Sequence, residues 1–199
     1  MQDNSENNWI DDITLIKQCQ RGNPDALGRL ILKYQDRLYN AILKICGNSD
    51  DAAELTQESF VKVLENIDGF RSQSSFYTWL FRIGINLTLN ACKRKLRLGM
   101  RSLDVGSDEA PGSKWPANLP DAKQTDPADQ AEKNELIQRV LAGLEKLEDQ
   151  QRTIIVLRDI EGMNYEQIAE VMNLELGTVK SRLSRARGAL KELLQAIWV

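Results

Sequence analysis

Two amphipathic helices with a stop signal between them occupy Asn164–Leu194 (NYEQIAEVMNLELGTVKSRLSRARGALKELL), a spacing that fits helices and no strand. Asn164 is placed to cap the first helix, and Gln167 three residues on completes a capping box. Ile168, Ala169 and Met172 then share one face. Asn173, tolerant of the left-handed conformation, ends the helix, and Asn173-Leu174-Glu175-Leu176 forms the turn. The second helix is predicted to start near Gly177, with Val179, Leu183, Ala186 and Leu190 on its buried stripe. At about 100° per residue, Gly177, Ser181, Ser184, Arg185 and Gly188 fall on the opposite face, with Thr178, Lys180 and Arg182 on the flanks.

Between Gly177 and Lys191 lie five basic residues and no acid. An apolar back, small outward residues and basic flanks fit a helix-turn-helix whose second helix enters the major groove of DNA. Small side chains let the backbone approach base edges, while Lys and Arg reach phosphates or guanine acceptors. A solvated amphipathic helix in an ordinary bundle would show the same buried stripe.

Charge distribution bears on that choice. The net charge of −3 over 199 residues is unevenly spread. Residues 1–68 carry 7 basic and 12 acidic side chains, whereas 69–103 carry 7 basic and none acidic. Residues 104–175 carry 7 basic and 16 acidic, and 176–199 carry 5 basic and 1 acidic. Local patches, and not the total, set the field that a nucleic acid strand meets. The chain contains no histidine, no CxxC pair and no P-loop. Ser-His-Asp and Cys-His nucleophiles and His-containing metal sites are thereby excluded, and the expectation is a protein that is not an enzyme and needs no cofactor or metal. Cys19, Cys46 and Cys92 are odd in number, widely spaced and inside helical patterns, which predicts reduced core thiols in a cytoplasmic protein. The start, MQDNSENNWIDD, lacks the basic and apolar regions of a signal peptide, and Arg82 interrupts the longest apolar run, so no membrane insertion is expected.

Helix punctuation continues along the chain. Ile13 and Ile16 predict a short first helix broken at Gly22. Asn23-Pro24 starts a long one, with Leu27, Leu30, Ile31, Tyr34, Leu38 and Ile42 inward, closed by Gly47. A third helix is predicted over about 51–68, with Ala53, Phe60, Leu64 and Ile67 inward, ended by Gly69. After the polar loop Phe70–Ser75, a fourth runs from Phe76 to about Leu96, with Trp79, Leu80, Ile83 and Leu87 on one face. These elements define an N-terminal helical domain over 10–98. Residues 99–126, punctuated by Gly106, Pro111, Gly112, Pro116 and Pro120, read as a flexible linker, in which Trp115 is either incidental or an anchor for a partner. Asp126-Pro127 opens a second helical domain over 127–199, with Ile137, Val140, Leu141 and Leu144 inward, then an apolar helix with Ile154, Ile155 and Leu157 that stops at Gly162. The expected fold is all-α, two small helical domains joined by that linker.

The acid-free stretch 69–103 combines Phe76, Tyr77, Trp79 and Phe81 with Lys93, Arg94, Lys95 and Arg97. Unpaired nucleic acid needs stacking surfaces and cations in this combination. Trp79 sits on the core stripe and is expected to be core. Phe70 lies in the loop beside Arg71, outside any stripe, and can line a pocket for an extruded base. Asn86 carries the donors and acceptors to read a base edge, or to make a local hydrogen bond.

Four segments together resemble the extracytoplasmic-function (ECF) sigma factors of bacterial RNA polymerase, within the sigma-70 family: GNPDALGRLILKYQDRLY, ELTQESFVKVLENI, GFRSQSSFYTWLFRIGINL and EGMNYEQIAEVMNLELGTVKSRLSRARGAL. The resemblance spans nearly all of residues 10–197. It implies a first domain that melts and reads the promoter −10 element and a second that reads the −35 element. By position, Phe70, Arg71, Ser72 and Asn86 match the loop and helix that hold the flipped −10 base, with Lys93 and Arg94 on the adjoining basic tract. Thr178, Lys180, Ser181, Arg182, Ser184 and Arg185 match the −35 readers. Glu54, Gln57, Glu58 and Phe60 match the surface that docks on the clamp helices of the polymerase's largest subunit. Implied partners are core RNA polymerase, promoter DNA and an anti-sigma factor.

Three positions depart from the family pattern: Leu176 stands where proline is usual, Asn164 where serine is usual, and Glu54 where aspartate is usual. A stand-alone helix-turn-helix regulator is the alternative function, although it has no need of the second basic stretch. Asp104, Asp108, Glu109, Asp121 and Asp126 between the domains further predict that the free chain folds back and screens both basic faces.

Overall fold

A computed structural model describes residues 3–102 and 127–197, with side chains placed over 12–99 and 135–196. The regular structure of the described residues is entirely helical. The N-terminal unit comprises α1 (Asp3–Gln20), α2 (Pro24–Cys46), α3 (Ser49–Asn66) and α4 (Phe76–Ser102). The C-terminal unit comprises α5 (Pro127–Glu145), α6 (Asp149–Ile155), α7 (Tyr165–Met172) and α8 (Leu176–Ile197).

The caps read from sequence set the boundaries. Asn23 accepts from the Asp25 N–H ahead of Pro24, and Gly47 closes α2 at φ +71°, a left-handed value that favours glycine. Asn48 accepts from the N–H groups of Asp50 and Asp51 at the start of α3. Leu30, Leu38, Ile42, Val63, Leu80, Phe81 and Ile85 fill the N-terminal core. Gly84 lies where α4 crosses α2, and a Cβ there would stand 2.9 Å from Leu38 Cδ1 and 3.1 Å from Ser59 Oγ, so these buried side chains would have to shift. The buried hydroxyls of Ser59 and Thr88 donate back to the carbonyls of Leu55 and Gly84, so neither is left unsatisfied.

Three expectations need correction. The first helix is not short: α1 runs 18 residues, anchored where buried Asp12 accepts from Lys33 and from the Tyr34 hydroxyl of α2, both at 2.5 Å. The inward face of α3 is rotated from the one expected. Ala52, Leu55, Phe60 and Val63 are buried, whereas Ala53 is exposed and Leu64 is 56% exposed. Finally, α4 continues through Ser102, so residues 99–102 are helix and not linker. Residues 103–126, including Trp115 and the five acids expected to screen the basic faces, lie outside the described residues.

In the C-terminal unit Leu141, Leu144, Ile154, Leu157, Ile168, Val171, Val179, Leu183 and Ala186 form the core. After Ile155 the α6 helix widens into a π-helical turn, Val156–Ile160, closed by the Glu161 N–H donating to the Val156 carbonyl at 2.9 Å. Such widened turns are uncommon and often mark functional positions. Gly162, at φ +71°, then turns the chain into α7. The two units are packed together, α7 lying against α4 and α6 against α2.

Candidate nucleic-acid interface

The helix-turn-helix is built from its caps outward. Asn164 accepts from the Gln167 N–H at 2.8 Å while the Gln167 side chain accepts from the Asn164 N–H at 2.9 Å, the reciprocal box read from sequence. Asn173 ends α7 at φ +51°. Val179, Leu183 and Ala186 are buried to 2% exposure or less, and Gly177, Ser181, Ser184, Arg185 and Gly188 all face solvent. Leu176 is the first residue of α8 and Glu175 its cap, since the Val179 N–H donates to the Glu175 carbonyl. Proline fits that first helical position because the N–H there has no intrahelical partner. Leu176→Pro is therefore expected to leave stability unchanged or raise it by about 0.4–1 kcal/mol. A urea titration checks this, and a loss above about 1 kcal/mol contradicts the assignment.

The expected −35 residues divide by environment. Lys180, Ser181, Ser184 and Arg185 are exposed, and Arg185 is held only loosely by a 3.4 Å hydrogen bond to the Ser181 carbonyl. Arg182 and Thr178 are half-buried on the flanks, and Arg182 donates to Gln150 Oε1 of α6 at 2.6 Å. Arg182 and Arg185 border a 280 Å³ open cavity whose other walls are Glu148, Gln150 and Gln151, a set of side-chain donors and acceptors beside the recognition helix. Arg187, outside the expected set, forms an ion pair with Asp159.

Around the loop after α3, Gln20 donates to the carbonyls of Ile67 (2.9 Å) and Phe70 (3.1 Å), fixing the chain before it turns. Ser72 takes a left-handed φ of +54°, and Ser75 caps α4 by accepting from the Thr78 N–H at 3.0 Å. Phe70 is not a free loop aromatic. It is 9% exposed, its ring centroid 4.9 Å from that of Trp79 and 6.2 Å from that of Phe76. Phe70 and Arg71 line a 120 Å³ cavity with Trp79, Arg82 and, from the other unit, Glu170. Asn86 does not line this cavity. It lies with Lys62, Asn66 and Asn90 around a second, 340 Å³ cavity, and Trp79 borders both. Trp79, expected to be core, is 8% exposed and also lines both candidate pockets. A residue on an apolar stripe gives no sequence signal for such a double placement. Lys93 and Arg94 are exposed toward the end of α4, where the neighbouring Lys95 is paired with Asp51.

Glu54, Gln57 and Glu58 are exposed along one face of α3, but Phe60 is 8% exposed and supports that face from within. Val61 (52% exposed) and Leu64 (56%) share the face and make it partly apolar. The sequence reading placed Leu64 inward, and its exposure here follows from the rotated inward face of α3. The three thiols are free and half-buried. Burial pushes all three above the ordinary thiol range, Cys92 to about 11, so none is a ready nucleophile at neutral pH.

Comparison with known proteins gives this geometry a family. Residues 30–98 match the model of sigma-70 region 2, and residues 137–190 that of sigma-70 region 4. The RNA polymerase sigma-H factor of Pseudomonas aeruginosa is 34% identical over 186 residues, covering 94% of this chain and 95% of that protein. The ECF RNA polymerase sigma factor SigW of Bacillus subtilis is 33% identical over 180 residues, covering 90% and 95%. Among solved structures, CnrH in complex with the cytosolic domain of CnrY aligns at a TM-score of 0.64 and 27% identity over 94% of this chain and 98% of that one. The sigma factor RpoE in complex with the anti-sigma factor NepR from Bartonella quintana aligns at 0.64 and 26% identity over 84% and 96%. With both regions in order and relatives matched along nearly their whole length, this chain belongs to the ECF group of the sigma-70 family of RNA polymerase sigma factors.

Proposed function

We propose that the chain directs promoter-specific initiation by docking the exposed face of α3 on core RNA polymerase, melting and reading the −10 element at the α3–α4 loop, and reading the −35 element with α8. The observation that carries this is the pairing of an exposed, acid-free recognition face, Lys180, Ser181, Ser184 and Arg185, with a second acid-free stretch, 69–103, whose Trp79 borders two cavities. A stand-alone operator binder needs the first and has no use for the second. Glu54, Gln57, Glu58, Val61 and Leu64 form the polymerase-docking face, and Phe60 holds it from beneath. Acting on RNA polymerase places the work in the cytoplasm. Separately, no described helix is long and apolar enough to cross a membrane. CnrH and RpoE are recorded with CnrY and NepR bound, and an anti-sigma protein is proposed as a partner here too.

Run-off transcription with core polymerase on a library of randomised promoters tests the proposal. Enrichment of two short motifs at −10 and −35 is expected, and the absence of any enriched motif refutes it.

Within this reading, side chains on α8 separate by role. Arg185→Ala is expected to cost about 1–3 kcal/mol and to relax specificity at one −35 position, as loss of a base contact does. Lys191→Ala, further along α8 and exposed, should instead weaken binding evenly across sequences and reduce the salt slope by about one. Equal losses on cognate and scrambled −35 sites for Arg185→Ala would remove Arg185 from the readers.

A further inference from the structure

The three arginines of α8 are held in three different ways. Arg187 is paired with the Asp159 carboxylate of the π-helical turn, which offsets its charge. Arg185 has only the long bond to the Ser181 carbonyl, one turn back on its own helix. Arg182 is half-buried, and its Nη1 donates at 2.6 Å to Oε1 of Gln150, the second residue of α6. Among the described residues Gln150 is its one side-chain partner, and it lies outside the helix-turn-helix, 32 positions away in the chain.

The chemistry of that partner matters. An amide oxygen accepts a hydrogen bond without carrying a charge, so it fixes the direction of a guanidinium and leaves the cation intact. The five N–H donors of arginine lie in one plane. With Nη1 on Gln150, the Nε–Nη2 edge remains, and that edge is the fork that meets two oxygens of one phosphate. A carboxylate at position 150 would hold the same nitrogen and offset the charge, as Asp159 does for Arg187. Arg182 and Gln150 also border the open cavity beside α8, where Arg185 and Gln151 add further donors and Glu148 is the one acid. Arg182 stands on the flank of the recognition helix. A helix seated in the major groove has its flanks toward the two phosphate backbones.

Resting on the sigma-factor reading, we propose that Gln150 is a positioning residue: it holds Arg182, still charged, against a phosphate bordering the −35 element, and so brings α6 into the DNA-binding surface.

A double-mutant cycle on the assembled holoenzyme tests it, read by fluorescence anisotropy over a range of salt. The probes are a labelled duplex promoter enriched from the randomised library and the same duplex with its −35 element scrambled. Gln150 is exposed, so replacing it removes no core volume. Gln150→Ala should bind both probes about fivefold more weakly, within the range for losing the order of one flexible side chain. Arg182→Ala should weaken both and lower the salt slope by about one. In the Arg182→Ala background, Gln150→Ala should then change nothing, whereas a structural defect in α6 would persist there. Gln150→Glu keeps an acceptor in place but offsets the charge of Arg182, so it should lower the salt slope by about one, as Arg182→Ala does. Three results overturn the proposal: no loss in Gln150→Ala, an undiminished loss when Arg182 is already absent, or a wild-type salt slope in Gln150→Glu. Run-off transcription by the wild-type holoenzyme reads the underlying assignment separately. If it starts at no promoter of the library, the sigma-factor reading fails and the inference with it. If it starts normally and the cycle shows no coupling, only the part given to Gln150 fails.

Discussion

Replacing Arg152 by alanine is expected to lower stability by about 3–5 kcal/mol and the unfolding midpoint by about 10 °C. The side chain is only 11% exposed and its guanidinium ends four carbonyls at once. It donates to Leu144 (2.8 Å), Glu145 (2.6 Å) and Leu147 (2.8 Å) where α5 turns into α6, and to Ile45 (2.5 Å) near the end of α2. Terminal carbonyls of a helix have no intrahelical partner, and two helix ends here share one cation, which also suits their dipoles. Alanine leaves these oxygens in a site too closed for full hydration, at about 1–3 kcal/mol for each that stays unsatisfied. Lysine should not rescue the loss, because a point charge with three donors cannot reproduce the planar fork. Thermal and urea unfolding of Arg152→Ala and Arg152→Lys decide the matter. A loss below about 1 kcal/mol, or full rescue by lysine, would show that the bridge is not structural.

Arg152 also marks where sequence stops being informative. Its contact with Ile45 joins residues far apart in the chain, and nothing local distinguishes it from the half-exposed Arg158 that caps its own neighbourhood by donating to the Met163 carbonyl. Local signals fared differently. Asn23-Pro24, Gly47, the Asn164–Gln167 box and Asn173 each act through their own backbone within four residues, and each stands where the spacing placed it. The periodic stripe of α8 was legible because a helix packed on one side only has one apolar face. In α3 the same logic slipped. Leu64 is apolar yet exposed, while Ser59 and Thr56 are polar yet buried, satisfied by carbonyls one turn back. Apolarity alone therefore set the wrong phase. The candidate readers of α8 followed from one helix and are together in space. Those of the N-terminal unit did not, because Asn86 and Arg71 line different cavities that share one indole, whose position depends on tertiary packing. Glu161 had no signal at all: it accepts from Arg37 and Tyr77 only where the units touch.

The indole of Trp79 carries the second large effect, and it joins stability to chemistry. Its ring packs against Phe70 at 4.9 Å and Phe76 at 6.0 Å, and it closes one side of both cavities in the N-terminal unit. Trp79→Ala removes that wall, and the cost is expected to be about 3–5 kcal/mol, the range for deleting a buried aromatic whose neighbours collapse only in part. Phe70, which packs on it, loses its main support and becomes mobile. Trp79→Phe retains an aromatic face and most of the volume, and should cost about 1–1.5 kcal/mol. Comparing the two separates folding from function. At a temperature well below both transitions, Trp79→Phe is folded, so any deficit in opening a duplex promoter belongs to the pocket. The expected result is reduced run-off from duplex template and near wild-type run-off when the −10 region is supplied already unpaired and mismatched. Equal losses on both templates would place Trp79 in base holding alone, without a part in strand separation. No loss on either, with stability lowered as expected, would return it to the core and leave the pockets to be explained by Arg71 and Asn86 without it.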